Sequence, residues 1–160
     1  MKYQMKRSLF VVALVPLLLG ATYQEPSENY ATVEFSQTGS PQASFHRNGS
    51  DCSGMVNLPN QKRFFNASAA PLRVDAGQAV AFKLFQLKGQ STFGLEGCQS
   101  ITSFVPSPGA KYRVHLDGDL CRVEVFRTAL DGSEVRDPSS RSRKMRMPFL
   151  PSGPFCEKDA

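Results

Sequence analysis

The chain has 160 residues, four cysteines and a formal charge of +5. Three of its nineteen basic residues and none of its acidic ones lie in residues 1–21, so the chain without that stretch would carry a charge of +2. A chain of this length holds one domain with a real core and not two, and a charge so near balance excludes global basicity as a reason to expect nucleic acid.

Lys2, Lys6 and Arg7 precede an apolar run from Leu9 to Leu19, and the small residues Gly20, Ala21 and Thr22 follow. A basic start, an apolar run and a small-residue exit define a secretory signal, here residues 1–21, with cleavage expected after Ala21. As a helix the run rises only about 16 Å against a hydrocarbon core of roughly 30 Å. No transmembrane anchor is therefore expected in the mature chain. No cysteine follows the run to carry a lipid, and the short, Lys-rich start reads as bacterial. The mature chain is expected in the periplasm or secreted to the medium.

Residues 22–50 are rich in Ser, Gln, Asn, Thr, Gly and Pro and read as a flexible lead-in. One short alternating stretch, Ala31, Val33 and Phe35 against Thr32, Glu34 and Ser36, suits an edge strand or a mobile arm. Residues 51–160 read as a single domain. Within it Leu72 and Val74 alternate with charged neighbours, Asp75-Ala-Gly77 turns the chain, and Val80, Phe82 and Leu84 return, which predicts a hairpin. Gly89 and the segment 94–97 mark the next connection. A strand over 101–105 ends at Pro106 and Pro108, since proline cannot continue a ladder. Tyr112, Val114 and Leu116 then oppose Lys111, Arg113 and His115. Asp117-Gly-Asp119 makes a turn with positive φ expected at Gly118, and Cys121, Val123 and Val125 come back on the apolar face. No long segment after residue 21 shows helical periodicity. The expected fold is all-β, a disulfide-stabilised antiparallel β-sandwich.

Cys52, Cys98, Cys121 and Cys156 make an even number in an exported chain, which reads as two disulfides. Without a C-x-x-C there is no thioredoxin-like pair and no zinc ribbon. Three pairings are possible. Cys98 opens the strand before the proline turn and lies near the hairpin that carries Cys121, so Cys98–Cys121 is preferred, leaving Cys52–Cys156.

From Arg73 to Val125, Val74-Asp-Ala-Gly77, Cys98, Phe104-x-Pro106-x-x-Gly109-x-x-Tyr112 and Cys121-x-Val123-x-Val125 follow in order. This third of the chain resembles small, largely uncharacterised bacterial envelope proteins, often lipoproteins, with transthyretin-like or immunoglobulin-like sandwiches. The resemblance implies a fold and brings no catalytic residue. The chain departs from the lipoprotein pattern in lacking the acylated cysteine.

Chemistry-bearing residues are sparse. His46 and His115 read as surface histidines, because no G-x-S-x-G elbow accompanies them. No metal and no cofactor is expected: Cys52 is taken as oxidised, and Met145 and Met147 alternate with basic residues as strand residues do. Phe64-Phe65 and Phe149-Leu150 read as core residues beside turns, and the sequons at Asn48 and Asn66 as chance. The densest functional signal is Arg136, Arg141, Arg143, Lys144 and Arg146, set among serines with only Asp137 opposing them. Guanidinium groups at this density bind anions in bidentate fashion, although a solvated loop has the same composition. No aromatics interleave with them, so nucleic acid is not expected. The resulting expectation is a non-enzymatic envelope protein that binds an envelope protein or an anionic envelope component. The alternatives are an inhibitor of a secreted or periplasmic enzyme, inserting a loop such as Pro106-Ser-Pro108 or Pro151-Ser-Gly-Pro154, and a small hydrolase.

Overall fold

The computed structural model describes residues 23–36, 42–56, 58, 71–91, 94–149 and 153–158. Among them there is no helix, so none is long and apolar enough to cross a membrane. The strands are β1 (Tyr30–Ser36), β2 (Gln42–Asn48), β3 (Ser53–Val56), β4 (Leu72–Asp75), β5 (Val80–Ser91), β6 (Gly94–Phe104), β7 (Lys111–Asp117), β8 (Arg122–Thr128), β9 (Glu134–Arg136) and β10 (Arg141–Ser142). They form two five-stranded sheets, ordered β4-β1-β7-β8-β9 and β10-β6-β5-β2-β3. Every described pairing is antiparallel except β1 with β7. That parallel pair departs from the all-antiparallel expectation.

Period-two alternation builds the core. Val33 and Ala31 of β1, Tyr112, Val114 and Leu116 of β7, and Val123 and Val125 of β8 are buried from the first sheet. Ala43 and Phe45 of β2, Val80, Phe82 and Leu84 of β5, and Phe104 of β6 meet them from the second, in one apolar cluster. Phe82 lies between the rings of Phe35, Phe45 and Phe104 at centroid distances of 5.3, 5.2 and 6.2 Å. Thr102 donates to the Val123 carbonyl at 2.9 Å, so a buried hydroxyl also ties the sheets together.

The structure corrects the sequence reading in four places. The segment read as a flexible lead-in contributes β1 and β2, each paired on both sides. Its polar residues occupy the outer faces while Ala31, Val33, Ala43 and Phe45 fill the core, so low overall hydrophobicity hid two half-buried strands. The pattern around Asp75-Ala-Gly77 is a crossing between sheets and not a hairpin: β4 pairs with β1 and β5 pairs with β2 and β6. Residues 89 and 94–97 belong to a long β5–β6 hairpin with a register shift between Leu87 and Gly89. In the β7–β8 turn, positive φ falls on Cys121 (51°) and Gly118 is not among the residues that adopt it. The Asp117 carboxylate accepts from the backbone N–H of Asp119 and Leu120, which shapes the turn without it.

Two cysteine pairs are bridged. Cys98, inside β6, joins Cys121 in the β7–β8 turn and so links the two sheets. Cys52 joins Cys156. This second bridge holds residues 153–158 over the outer face of the second sheet, where Cys52, Ala81, Ile101 and Cys156 form a small separate cluster against Phe155.

Candidate binding surface

The basic segment switches sheets. β9 is the last strand of the first sheet and β10 the edge strand of the second, so residues 137–140 cross one side of the molecule between them. Asp137 is buried and shapes that crossing. Its carboxylate accepts from the Ser139 backbone N–H at 2.9 Å and from the Ser139 hydroxyl, which also accepts from the Val105 N–H. Asp137 is thus bound up in the turn and forms no ion pair among the described residues.

The five basic residues singled out from sequence do not act as one face. Arg143 is buried, and its guanidinium donates to the carbonyls of Ser50 and Glu157, both at 2.6 Å. It pins the C-terminal strap and is withdrawn from any contact surface, a correction to its reading as an anion contact. Lys144 pairs with Glu157 at 2.9 Å. Arg136, Arg141 and Arg146 remain exposed, and among the described residues none of them forms an ion pair. The strap makes the division: Arg143 follows β10 with its N–H on the Ile101 carbonyl and reaches the Ser50 and Glu157 carbonyls under residues 153–158, whereas Arg141, two positions earlier, stays exposed.

Arg136 shares its surroundings with residues that the sequence reading left unassigned. A groove of about 1080 Å3 lies at one end of the first sheet, lined among others by Lys111, Arg127, Leu130, Val135 and Arg136. Arg127 and Val135 are cross-strand partners. Their parity with Val123 and Val125 puts them on the core-facing side, yet both are exposed, so the second sheet leaves this corner uncovered. Leu130 at the β8–β9 turn is fully exposed and Val135 is 60% exposed. Lys111, Arg127 and Arg136 are exposed cations without an ion pair among the described residues. The groove's one carboxylate, Asp131, accepts from the Ser133 N–H and hydroxyl, which hold it below the usual carboxylate range. Lys111 and Arg127 could have been flagged only by knowing which strands overhang, which is a tertiary property.

The histidines are held in quite different ways. His115 is half-buried on the outer face of the first sheet, with Nδ1 at 2.8 Å from the Ser36 carbonyl. The Ser36 hydroxyl accepts from Arg113, whose guanidinium grips the Glu134 carboxylate bidentately and lies 4.6 Å from the Phe126 ring. The Ser36 hydroxyl also lies 3.3 Å from His115 Nδ1, so Ser36, Arg113, His115 and Glu134 form one hydrogen-bonded ladder along the outer face of the first sheet. His46 is not a surface residue. It is fully buried in β2, 5.1 Å edge-on to Phe155, and neither ring nitrogen has a hydrogen-bond partner among the described residues. Burial lowers its pKa to about 4; the Cys52 backbone opposes the shift and the Lys83 charge adds to it.

His46 faces Met55 across the β2–β3 ladder, but Cys52 is oxidised and cannot supply a thiolate. The Met145 sulfur accepts from Gln99, and Met147 and Phe149 are exposed, the latter completely. Phe149 therefore departs from its reading as a core residue; Phe64, Phe65, Asn66, Leu150, Pro151 and Ser152 lie outside the described residues. Asn48 is exposed and folds back onto Ser50, its Oδ1 accepting from the Ser50 N–H and hydroxyl. Among the described residues no group of three His, Cys, Asp or Glu could hold a metal ion.

Comparison with known proteins finds no matching family model, no matching curated protein and no matching solved structure.

Proposed function

We propose that this protein is an exported, non-enzymatic binding module of the bacterial envelope, built as a β-sandwich of immunoglobulin-like or transthyretin-like kind. Its contact face is the cationic corner around Lys111, Arg127 and Arg136. The observation that carries this reading is the groove itself. Three exposed cations without an ion pair among the described residues line one groove together with uncovered apolar side chains, whereas Arg143 is buried, Lys144 is paired, and the exposed Arg141 and Arg146 lie outside the groove lining. Exposed apolar side chains flanked by cations are the composition of an interface core with its polar rim. Two disulfides support an oxidising compartment, and two sheets sharing one apolar cluster support the sandwich. The partner expected is an anionic envelope protein or envelope component.

The test is retention of anionic envelope material on the oxidised protein, compared between the wild type, a groove variant (K111S/R127S/R136S) and an edge variant (R141S/R146S). The groove variant is expected to lose salt-labile retention while the edge variant keeps most of it. Equal retention by wild type and groove variant would overturn the assignment.

A further inference from the structure

We propose that β9 accepts an acidic, extended segment of a partner protein as an added strand; this rests on the groove reading above and specifies its ligand.

The hydrogen-bond alternation of the β8–β9 ladder leaves β9 half unsatisfied on its outer side. The Ala129 N–H donates to the Ser133 carbonyl at one end of the ladder, and the Asp137 N–H donates to the Val125 carbonyl at the other. Antiparallel pairing alternates with period two, so Val135 turns its N–H and carbonyl inward to Arg127. Glu134 and Arg136 then direct theirs away from the sheet. β9 ends its sheet, and among the described residues no strand lies beyond it. These outward groups, two donors and two acceptors at alternate positions, are what an incoming backbone requires.

The side chains around this edge select the chemistry of such a strand. A strand laid along β9 continues the pleat, so its alternate residues fall on the groove side, level with the exposed Val135 and near Leu130. Arg136 borders that path from β9 on the outer face, Arg127 lies one strand in on the groove side and Lys111 stands farther back on β7, and none of them has an ion pair among the described residues. The Glu134 carboxylate is already answered by Arg113 across the outer face, and Asp131, ionised and held by Ser133, offsets one of the three cations and leaves the groove net positive. A segment alternating Asp or Glu with Val or Leu meets all three features at once. An anionic lipid would satisfy the cations and the apolar patch but would make no use of the outward backbone groups, which is why a peptide is favoured. The competing reading is an edge kept short and charged so that nothing pairs with it.

The experiment uses 15N-labelled, oxidised protein titrated with three probes at low and physiological salt. The first is a short peptide alternating Glu and Val, the second is the same peptide N-methylated at alternate residues, and the third is a vesicle of phosphatidylglycerol and phosphatidylcholine. Strand addition predicts saturable binding of the first peptide, with slowed amide exchange at Glu134 and Arg136. It also predicts at least tenfold weaker binding of the methylated peptide and of the first peptide to the K111S/R127S/R136S variant, about 1.4 kcal/mol or more. Equal affinity for the plain and methylated peptides would overturn strand addition while leaving a charge-driven groove. Binding of vesicles but of neither peptide would assign the groove to lipid and overturn the peptide. Binding of no probe overturns this proposal, whereas the groove reading itself fails only if the variant also retains envelope material as the wild type does.

Discussion

Replacing His46 by phenylalanine is expected to remove the acid sensitivity of the fold between pH 6.5 and 4.5. His46 is fully buried beside Phe155, its ring nitrogens have no hydrogen-bond partner among the described residues, and its pKa falls to about 4. In the unfolded chain the ring takes up a proton near pH 6.5; in the folded chain it stays neutral until about pH 4. Between those values the unfolded state binds more protons, so stability is complete above pH 6.5 and declines as the pH falls toward 4. The gap corresponds to about 3 kcal/mol once the pH is below both values, a large share of the stability of one small domain. Asp51, Asp117, Asp131 and Glu134 also have lowered pKa values, from ordinary ones of 3.8 to 4.5. Their losses begin at more acidic pH, which leaves the higher window to His46. Urea unfolding at half-unit steps from pH 7.5 to 4.5 reads the effect, with His46→Phe as the control. The variant is expected to be at least as stable as wild type at pH 7, because it buries no unmatched nitrogen, and flat across the window. A wild-type profile already flat there, or a variant with the same slope, would refute the buried, neutral histidine.

Three further predictions concern the frame around the groove. Loop closure gives Cys52–Cys156, 104 residues apart, a stabilisation of about 4.7 kcal/mol, and Cys98–Cys121, 23 apart, about 3.4 kcal/mol. Denaturant unfolding of C52A/C156A should therefore show the larger loss, and the reverse order would contradict the strap's importance. Arg143→Met strips the donors from the Ser50 and Glu157 carbonyls and should cost about 2–4 kcal/mol, whereas Arg136→Ser should stay within about 0.5 kcal/mol in the same thermal melts. At Gly49 an added methyl would stand 2.7 Å from the Val80 carbonyl oxygen, so Gly49→Ala should lower stability by about 1–3 kcal/mol, read as a fall in Tm.

Where alternation was regular, the fold was legible. Tyr112-Val114-Leu116 and Val123-Val125 are buried as their period requires, and the absence of helical periodicity matches the all-strand architecture of the described residues. What local patterns did not contain was pairing. Leu72-Val74 and Val80-Phe82 look like a hairpin because a turn joins them, yet they lie in different sheets, and a turn between two strands is compatible with either outcome. β1 and β2 were obscured by polar outer-face residues in a segment of disordered composition. His46 carried no sign of burial, because the strap that covers it arrives from residues 153–158, over a hundred positions away. The same holds at the surface. Charge density marked Arg136 to Arg146 as a unit, but Arg143 points under the strap while Lys111 and Arg127 join Arg136 from other strands. The register of β7, β8 and β9 brings those three to one end of the first sheet, Arg127 on its core-facing side and Lys111 and Arg136 on the other.

The most direct measurement is amide hydrogen exchange of the oxidised protein, free and captured on anionic envelope material. The account predicts new protection confined to residues 108–111 and 127–138, with Glu134 and Arg136 among the most protected amides. Protection centred on the Arg113–His115 face of the first sheet, or on the strap at residues 153–158, with the groove unchanged, would contradict it.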